Sequence, residues 1–228
     1  MFAVTKEYTP LFNTERIDEI FKSKLPFDHR FLLPQLETVL FPNAVLEVIR
    51  ECPQSFQVKT REYPASFPLF ADKRSVRLTK DRIEERHRKC PKKEQFLERL
   101  LSFPKCPYIW GGTNPHGIPQ WIDYYPPKRA LSSFEFAYWI FRGVDCSGLL
   151  YHVTDGFTPR NTKELYTFGS EVNEPKPFDL VLYPGHVLIV LPNEKVIECR
   201  HLNGIVVSSL KERLKESEHL GLTFRRFL

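Results

Sequence analysis

Cys146 stands in the run Gly143-Val144-Asp145-Cys146-Ser147-Gly148-Leu149-Leu150-Tyr151. A cysteine followed by Ser-Gly and an apolar run fits the first turn of a buried helix, where unpaired amide donors and the helix dipole stabilise a thiolate. By composition alone the same residue also fits a small buried apolar side chain. A thiol nucleophile needs a base that takes its proton and returns it to a leaving amine, and histidine suits both steps near neutrality. Of the seven histidines, His29, His87, His116, His152 and His219 lie among charged, Pro/Gly-rich or helix-surface neighbours, where a solvated imidazole is the ordinary outcome. His186 differs, because it begins a strand directly after Pro184-Gly185 and precedes five aliphatic residues, so its ring projects from a rigid element. The imidazole needs an orienting acceptor on its far nitrogen. Glu198, 198 − 186 = 12 residues on and one short hairpin away, is polar in an otherwise buried run, where a carboxylate is costly unless paired. His201 competes for that orienting role from three residues further along.

These side chains need elements to carry them. A helix-like stretch follows Asp145, and strand patterns follow at 180–182, 187–191, 196–199 and 205–208. That order predicts helices packed against an antiparallel sheet, an α+β domain. Pro184-Gly185 makes a tight turn between two buried strands, and 191–195 makes the next hairpin. Phe96, Leu97, Leu100 and Leu101 mark a short helix that opens this domain. Upstream, Asn13 can cap a short helix whose Ile17, Ile20, Phe21 and Leu25 share one apolar face, with Pro26 ending it. That face must pack on something. Short alternating runs at 39–40, 45–49, 56–58 and 67–70, divided by Pro42-Asn43 and Cys52-Pro53-Gln54, predict a small β barrel.

Composition bounds the function. The 228 residues are 42% hydrophobic and 14% aromatic, which excludes a largely disordered chain. The formal charge is +5, but the segment 73–105 holds 12 Lys+Arg and 5 Asp+Glu, a local +7, so the remainder carries 5 − 7 = −2. Acids interleave with the bases there and no aromatic residue appears before Phe96, which reads as a solvated linker and helix face with no nucleic-acid partner. The longest aliphatic run, 187–191, is far short of the roughly 18 to 20 residues that cross a bilayer. The N-terminus has no basic n-region, apolar core or cleavage site of a secretory signal. Cys52, Cys90, Cys106, Cys146 and Cys199 are odd in number and contain no C-x-x-C pair, fitting neither a disulfide framework nor a zinc knuckle. Reduced thiols and a cytoplasmic location are expected.

Five motifs occur in order: Pro107-Tyr108-Ile109-Trp110-Gly111-Gly112, Asp145-Cys146-Ser147-Gly148-Leu149, Thr158-Pro159-Arg160-Asn161-Thr162, Phe178-Asp179-Leu180-Val181, and Gly185-His186-Val187 with Glu198 beyond it. Together they resemble the NlpC/p60-type cell-wall cysteine peptidases. Residues 37–49 and 56–59 resemble the opening of bacterial SH3-like modules, with Pro42-Asn43 where that family usually turns on glycine. The resemblance implies a papain-like α+β peptidase domain at 93–228, preceded by a helical extension at 1–33, an SH3-like β domain at 34–78 and a charged linker at 79–92. It implies catalysis by Cys146 as nucleophile, His186 as base then acid and Glu198 as orienter, without metal or cofactor. It also implies that Asp145 helps bind a free substrate amine, that Ser147 contacts substrate and that Tyr108 lies near the nucleophile.

The substrates implied are peptidoglycan stem peptides, cut between γ-D-glutamate and a diamino acid, commonly meso-diaminopimelate, with a free N-terminal L-Ala. Two features depart from the family pattern. Glu198 stands where many relatives have histidine, and the 32 residues 113–144 stand where relatives often have a short linker. Their Trp121, Tyr124, Tyr125, Tyr138 and Trp139 predict a cleft wall or lid. Other readings on the same scaffold are a non-catalytic cell-wall binder, a murein amidase, or a lipid acyltransferase, the last disfavoured because its relatives place histidine before cysteine.

Overall fold

The computed structural model describes residues 1–81 and 83–228. The chain divides into two compact units, one built from residues 1–87 and 109–143 and the other from residues 88–108 and 144–228.

The first unit contains strands β1 (Phe2–Thr5), β2 (Thr9–Phe12), β3 (Leu36–Leu40), β4 (Val45–Glu51), β5 (Ser55–Lys59), β6 (Leu69–Asp72) and β7 (Val76–Thr79). Strands β3 to β6 fall where short apolar runs alternate with turn residues. They join β1 and β2 in one antiparallel sheet of order β3-β2-β6-β5-β4-β1-β7. Among the described residues no pairing of β7 with β3 closes it, so the small closed barrel expected at 34–78 is instead part of a seven-stranded sheet. Residues before position 34 supply two of its strands, where a helical extension was expected. Among the described residues the only helix there is the single turn α1 (Ile17–Ile20). Asn13 does not cap it: its amide donates to the Pro34 carbonyl at 2.9 Å and to Glu37 at 2.7 Å. The expected linker 79–92 has no helix or strand between 83 and 92, and its Arg82 lies outside the described residues.

The apolar face of Ile17, Ile20, Phe21 and Leu25 finds its partner in the segment 113–144. That segment carries β8 (Thr113–Asn114), α3 (Trp121–Tyr124), α4 (Ser133–Trp139) and β9 (Gly143–Val144). Trp121, Tyr125, Tyr138 and Trp139 are buried in one cluster with Phe12, Phe21, Leu33 and Leu36. Phe21 stacks on Tyr125 at 4.9 Å and meets Trp139 edge-on at 5.2 Å and Trp121 at 5.8 Å. These four aromatic side chains of the long insertion are therefore core, not a lid, because a complementary apolar surface exists for them near the N-terminus. Tyr125 also donates through its hydroxyl to the buried Asp72 at 2.6 Å, and Arg74 pairs with the same carboxylate at 2.7 Å. Gly111 has φ +76 and its carbonyl accepts from the Val39 amide at 2.9 Å; an added Cβ would lie 2.9 Å from the Glu37 carbonyl oxygen.

The second unit is the expected α+β arrangement. It contains α2 (Lys93–Leu101), α5 (Cys146–Val153), α6 (Thr162–Leu165), β10 (Ser170–Val172), β11 (Leu180–Tyr183), β12 (His186–Leu191), β13 (Lys195–Arg200), β14 (Gly204–Ser209), α7 (Leu210–Ser217) and β15 (Thr223–Arg226). The sheet order is β10-β15-β11-β12-β13-β14, antiparallel throughout. Side chains alternate across it. Leu180, Leu182, Val187, Ile189 and Ile197 pack under Phe96 and Leu100 of α2 and Leu149, Leu150 and Val153 of α5. On the other face Val181, Leu188, Val190 and Val196 meet Leu210 and Leu214 of α7. Among the described residues no helix is long and apolar enough to cross a membrane.

Phe21 is the hub of the aromatic cluster, so Phe21→Ala is expected to destabilise the protein by about 3–5 kcal/mol through the cavity it leaves, read as a lowered urea midpoint in tryptophan fluorescence.

Candidate active site

Asp145 starts the site. It is the N-cap of α5, its carboxylate accepting the Gly148 amide at 2.6 Å, which is what makes the following cysteine the first helical residue. Only 6% of Asp145 is exposed, so its charge needs compensation. Arg160 supplies it in a two-pronged pair, Nη1 to Oδ1 at 3.0 Å and Nη2 to Oδ2 at 2.7 Å. Arg160 Nη1 also donates to the Ser147 hydroxyl at 2.9 Å, and that hydroxyl lies 3.2 Å from Asp145 Oδ1. Both carboxylate oxygens of Asp145 are thus already bonded within the protein.

Cys146 sits at the head of α5, buried, with its thiol donating to the Gly185 carbonyl at 3.8 Å. Gly185, at φ +80, occupies the third position of the Pro-Gly turn that joins β11 to β12, the conformation that a type II turn reserves for glycine. Burial and the Asp145 carboxylate push the thiol up to about 12; the amides of Val187 and Ser147 and the Arg160 charge oppose this but do not overcome it. Burial thus outweighs the helix amides at this thiol, against the expectation of a thiolate stabilised by the helix start.

His186, between Gly185 and Val187, begins β12 and holds Glu198 on β13 through Nε2 at 2.7 Å from Oε2. Glu198 has no solvent exposure. Burial would raise its carboxyl, but hydrogen bonds from His186, Arg200 and Arg213 outweigh this and bring it down to about 2. His201, the competing orienter, lies beyond the end of β13 with its ring edge-on to Tyr108 at 5.5 Å. Tyr108 pairs with Val144 in an isolated parallel bridge, and burial together with the nearby Asp145 carboxylate raises its hydroxyl. The structure thus groups Tyr108, Asp145, Cys146 and Ser147 at the start of α5 and joins His186 to Glu198.

Three residues of the site escaped sequence reading. Arg160 lies in the Thr158-Pro159-Arg160 motif but had no assigned role; a buried carboxylate at an N-cap is the signal that demands such a cation. Arg200 and Arg213 sit in a strand end and in the charged run Leu210-Lys211-Glu212-Arg213-Leu214-Lys215, where nothing local sets them apart from solvated residues.

A cysteine heading a helix against a sheet, with a histidine and a carboxylate joined on adjoining strands, is the architecture on which thiol hydrolases are built. Residues 105–223, more than half of the chain, match the NlpC/P60 family, and the chain belongs to that family, whose members are generally peptidoglycan hydrolases, some of them non-catalytic. Among solved structures, an NlpC/P60 family protein from Bacillus cereus is 15% identical, with a TM-score of 0.45 over 100% of this chain and 63% of its own. The peptidoglycan hydrolase RipB from Mycobacterium tuberculosis is 26% identical, with a TM-score of 0.41 over 59% of this chain and 63% of its own. RipD from the same organism, a non-catalytic NlpC/p60 domain protein adapted to peptidoglycan binding, is 21% identical, with a TM-score of 0.41 over 60% of this chain and 97% of its own. The chain spans less than two thirds of the length of the Bacillus protein. No curated protein matches it.

Glu198 ties the site to acid stability. Its carboxyl lies near 2 in the folded protein against 4.5 ordinarily. The associated stability, on the order of 3 kcal/mol, is fully present above about pH 4.5 and is lost as pH falls toward 2. Urea unfolding at pH values from 6 to 2 is expected to show this loss in the wild type and a flatter dependence in Glu198→Gln.

Proposed function

We propose that the protein is a cysteine peptidase that hydrolyses peptidoglycan stem peptides at the bond between γ-D-glutamate and a diamino acid, meso-diaminopimelate in the first instance. The observation that carries this reading is the 2.7 Å His186–Glu198 pair beginning one residue after the carbonyl that receives the Cys146 thiol. In the reaction, the Cys146 sulfur adds to the γ-glutamyl carbonyl while His186 accepts the thiol proton. The imidazolium then gives that proton to the diamino acid nitrogen as the C–N bond breaks, leaving a thioester. Water, deprotonated by the same imidazole, hydrolyses the thioester and restores the thiol. Glu198 keeps the ring oriented and balances the charge that the imidazole acquires.

Asp145 is the proposed contact for a free N-terminal L-Ala amine, with Ser147 and Tyr108 as further substrate-binding residues beside Cys146. Because Arg160 already neutralises Asp145, the amine is held by shared carboxylate and hydroxyl oxygens and not by an unopposed charge. Residues 34–78 are read as an SH3-like accessory module that narrows the choice of substrate, supported by the antiparallel succession of β4, β5 and β6. Among the described residues no disulfide joins two of the five cysteines, which supports work in a reducing compartment, the cytoplasm, on released peptides.

A second reading, a non-catalytic cell-wall binder, is favoured by the existence of RipD as a non-catalytic member of the family, while the presence of Cys146, His186 and Glu198 together supports catalysis. The two separate in one assay. L-Ala-γ-D-Glu-meso-diaminopimelate is expected to release L-Ala-D-Glu with the wild type, with a loss of at least about 1000-fold in kcat for Cys146→Ala and His186→Ala. N-acetylation of the L-Ala is expected to lower kcat/KM by about tenfold or more. Equal release by wild type and Cys146→Ala, or binding without release, would defeat the peptidase reading.

A further inference from the structure

The His186–Glu198 pair is surrounded by cations that the proposed chemistry does not employ. Glu198 Oε1 accepts Arg213 Nε at 2.7 Å and Arg200 Nη2 at 2.8 Å. Its Oε2 accepts Arg213 Nη2 at 3.3 Å beside the His186 contact at 2.7 Å. Arg213 is itself held in place: Nη1 donates to Glu216 at 2.5 Å and Nη2 to the Tyr183 hydroxyl at 3.2 Å. The Tyr183 ring stacks on the His186 ring, with centroids 5.1 Å apart and planes 29° apart. One guanidinium, only 9% exposed, thus touches both the carboxylate that orients the imidazole and the phenol that covers it. Its Cα is on α7, whose Leu210 and Leu214 pack on the sheet face that Glu198 shares with Val196.

The charge balance around the imidazole gives this arrangement a consequence. The groups that face the pair are Arg200 from β13, Arg213 from α7 and the Tyr183 phenol from β11, while the Cys146 thiol meets the Gly185 carbonyl one residue before His186 and the Cys199 thiol turns to the other sheet face, donating to the Val144 carbonyl at 3.1 Å. Glu216 from α7 offsets part of Arg213 but is itself 59% exposed and correspondingly screened. One carboxylate is therefore opposed by two guanidiniums. A buried carboxylate bonded to an imidazole with no other partner favours the imidazolium strongly, and an imidazolium cannot accept a thiol proton. Two guanidiniums on the same carboxylate keep its hydrogen-bond geometry while cancelling the field it exerts on the ring.

The geometry points to Arg213 as a positioning residue that, together with Arg200, fixes Glu198 as an acceptor of reduced basicity and so keeps His186 neutral and able to act as the base. This rests on the reading of His186 as the base of a thiol peptidase, but its test does not require turnover. The His186 ring protons are followed by NMR across pH in the wild type, Arg213→Met and Arg213→Lys, and the pH profile of kcat/KM is recorded for the same proteins. In Arg213→Met the His186 midpoint and the acidic limb of kcat/KM are both expected to move to higher pH by about one pH unit, with Arg213→Lys falling between it and the wild type. A residue that only braces α7 would lower activity by one factor at all pH values and leave the midpoint in place. An unchanged or lower midpoint in Arg213→Met, or a Lys variant titrating no lower than the Met variant, would overturn the assignment. If Arg213→Met does not fold, Arg200→Met removes the other guanidinium from the same oxygen and is read by the same criterion: a raised midpoint supports the assignment and an unchanged one overturns it. A wild type that cleaves no stem peptide would sink the peptidase reading while the NMR titration still decides the role of Arg213.

Discussion

A carboxylate removed from water stays charged only where donors replace the solvent it has lost, and Glu198 on β13 is where this protein concentrates such donors. His186, Arg200 and Arg213 reach its two oxygens from β12, β13 and α7. The contact therefore fixes more than a ring orientation. It sets the register at which β12 presents His186, since the ring must reach a carboxylate on the neighbouring strand, and it gives α7 a polar anchor in addition to Leu210 and Leu214. Removing any one donor leaves the same buried charge under-compensated, so the cost falls on the site as a whole.

The head of α5 solves the same problem with different partners. Asp145 caps the helix and so must lie beside the first amides, which places a negative charge next to the Cys146 thiol. Arg160 neutralises that charge and fastens the Ser147 hydroxyl. Even so, burial pushes the thiol up. The helix start and the carboxylate work against each other at this thiol.

Much of the second unit is legible in the sequence because its strands are short apolar runs closed by turn residues. The patterns at 180–182, 187–191, 196–199 and 205–208 become β11 to β14 with ends shifted by one residue at most. Glu198 could be singled out because a lone carboxylate in a buried run has to be paired. The flanking strands β10 and β15 carry polar residues such as Ser170, Glu171, Arg225 and Arg226, so they lack that pattern. In the first unit the alternation marked β3 to β6, but a period of two says nothing about which strands become neighbours. The insertion of β1 and β2 into the same sheet is a long-range pairing that no local signal encodes.

The sequence by itself determined the candidate site's residue types and their order: a cysteine placed to head a helix, a histidine after a rigid turn, and a carboxylate one hairpin further on. It also determined that an apolar face at 17–25 and an aromatic-rich stretch at 113–144 each required burial. Only the tertiary structure decided that these two bury each other, that Asn13 bonds to Pro34 and Glu37 instead of capping a helix, and that Arg160, Arg200 and Arg213 turn inward to the site. The physical reason is the same in each case. Local pattern records which face of an element avoids water, whereas the partner of a face, or of a charge, is set by contacts between residues far apart in the chain.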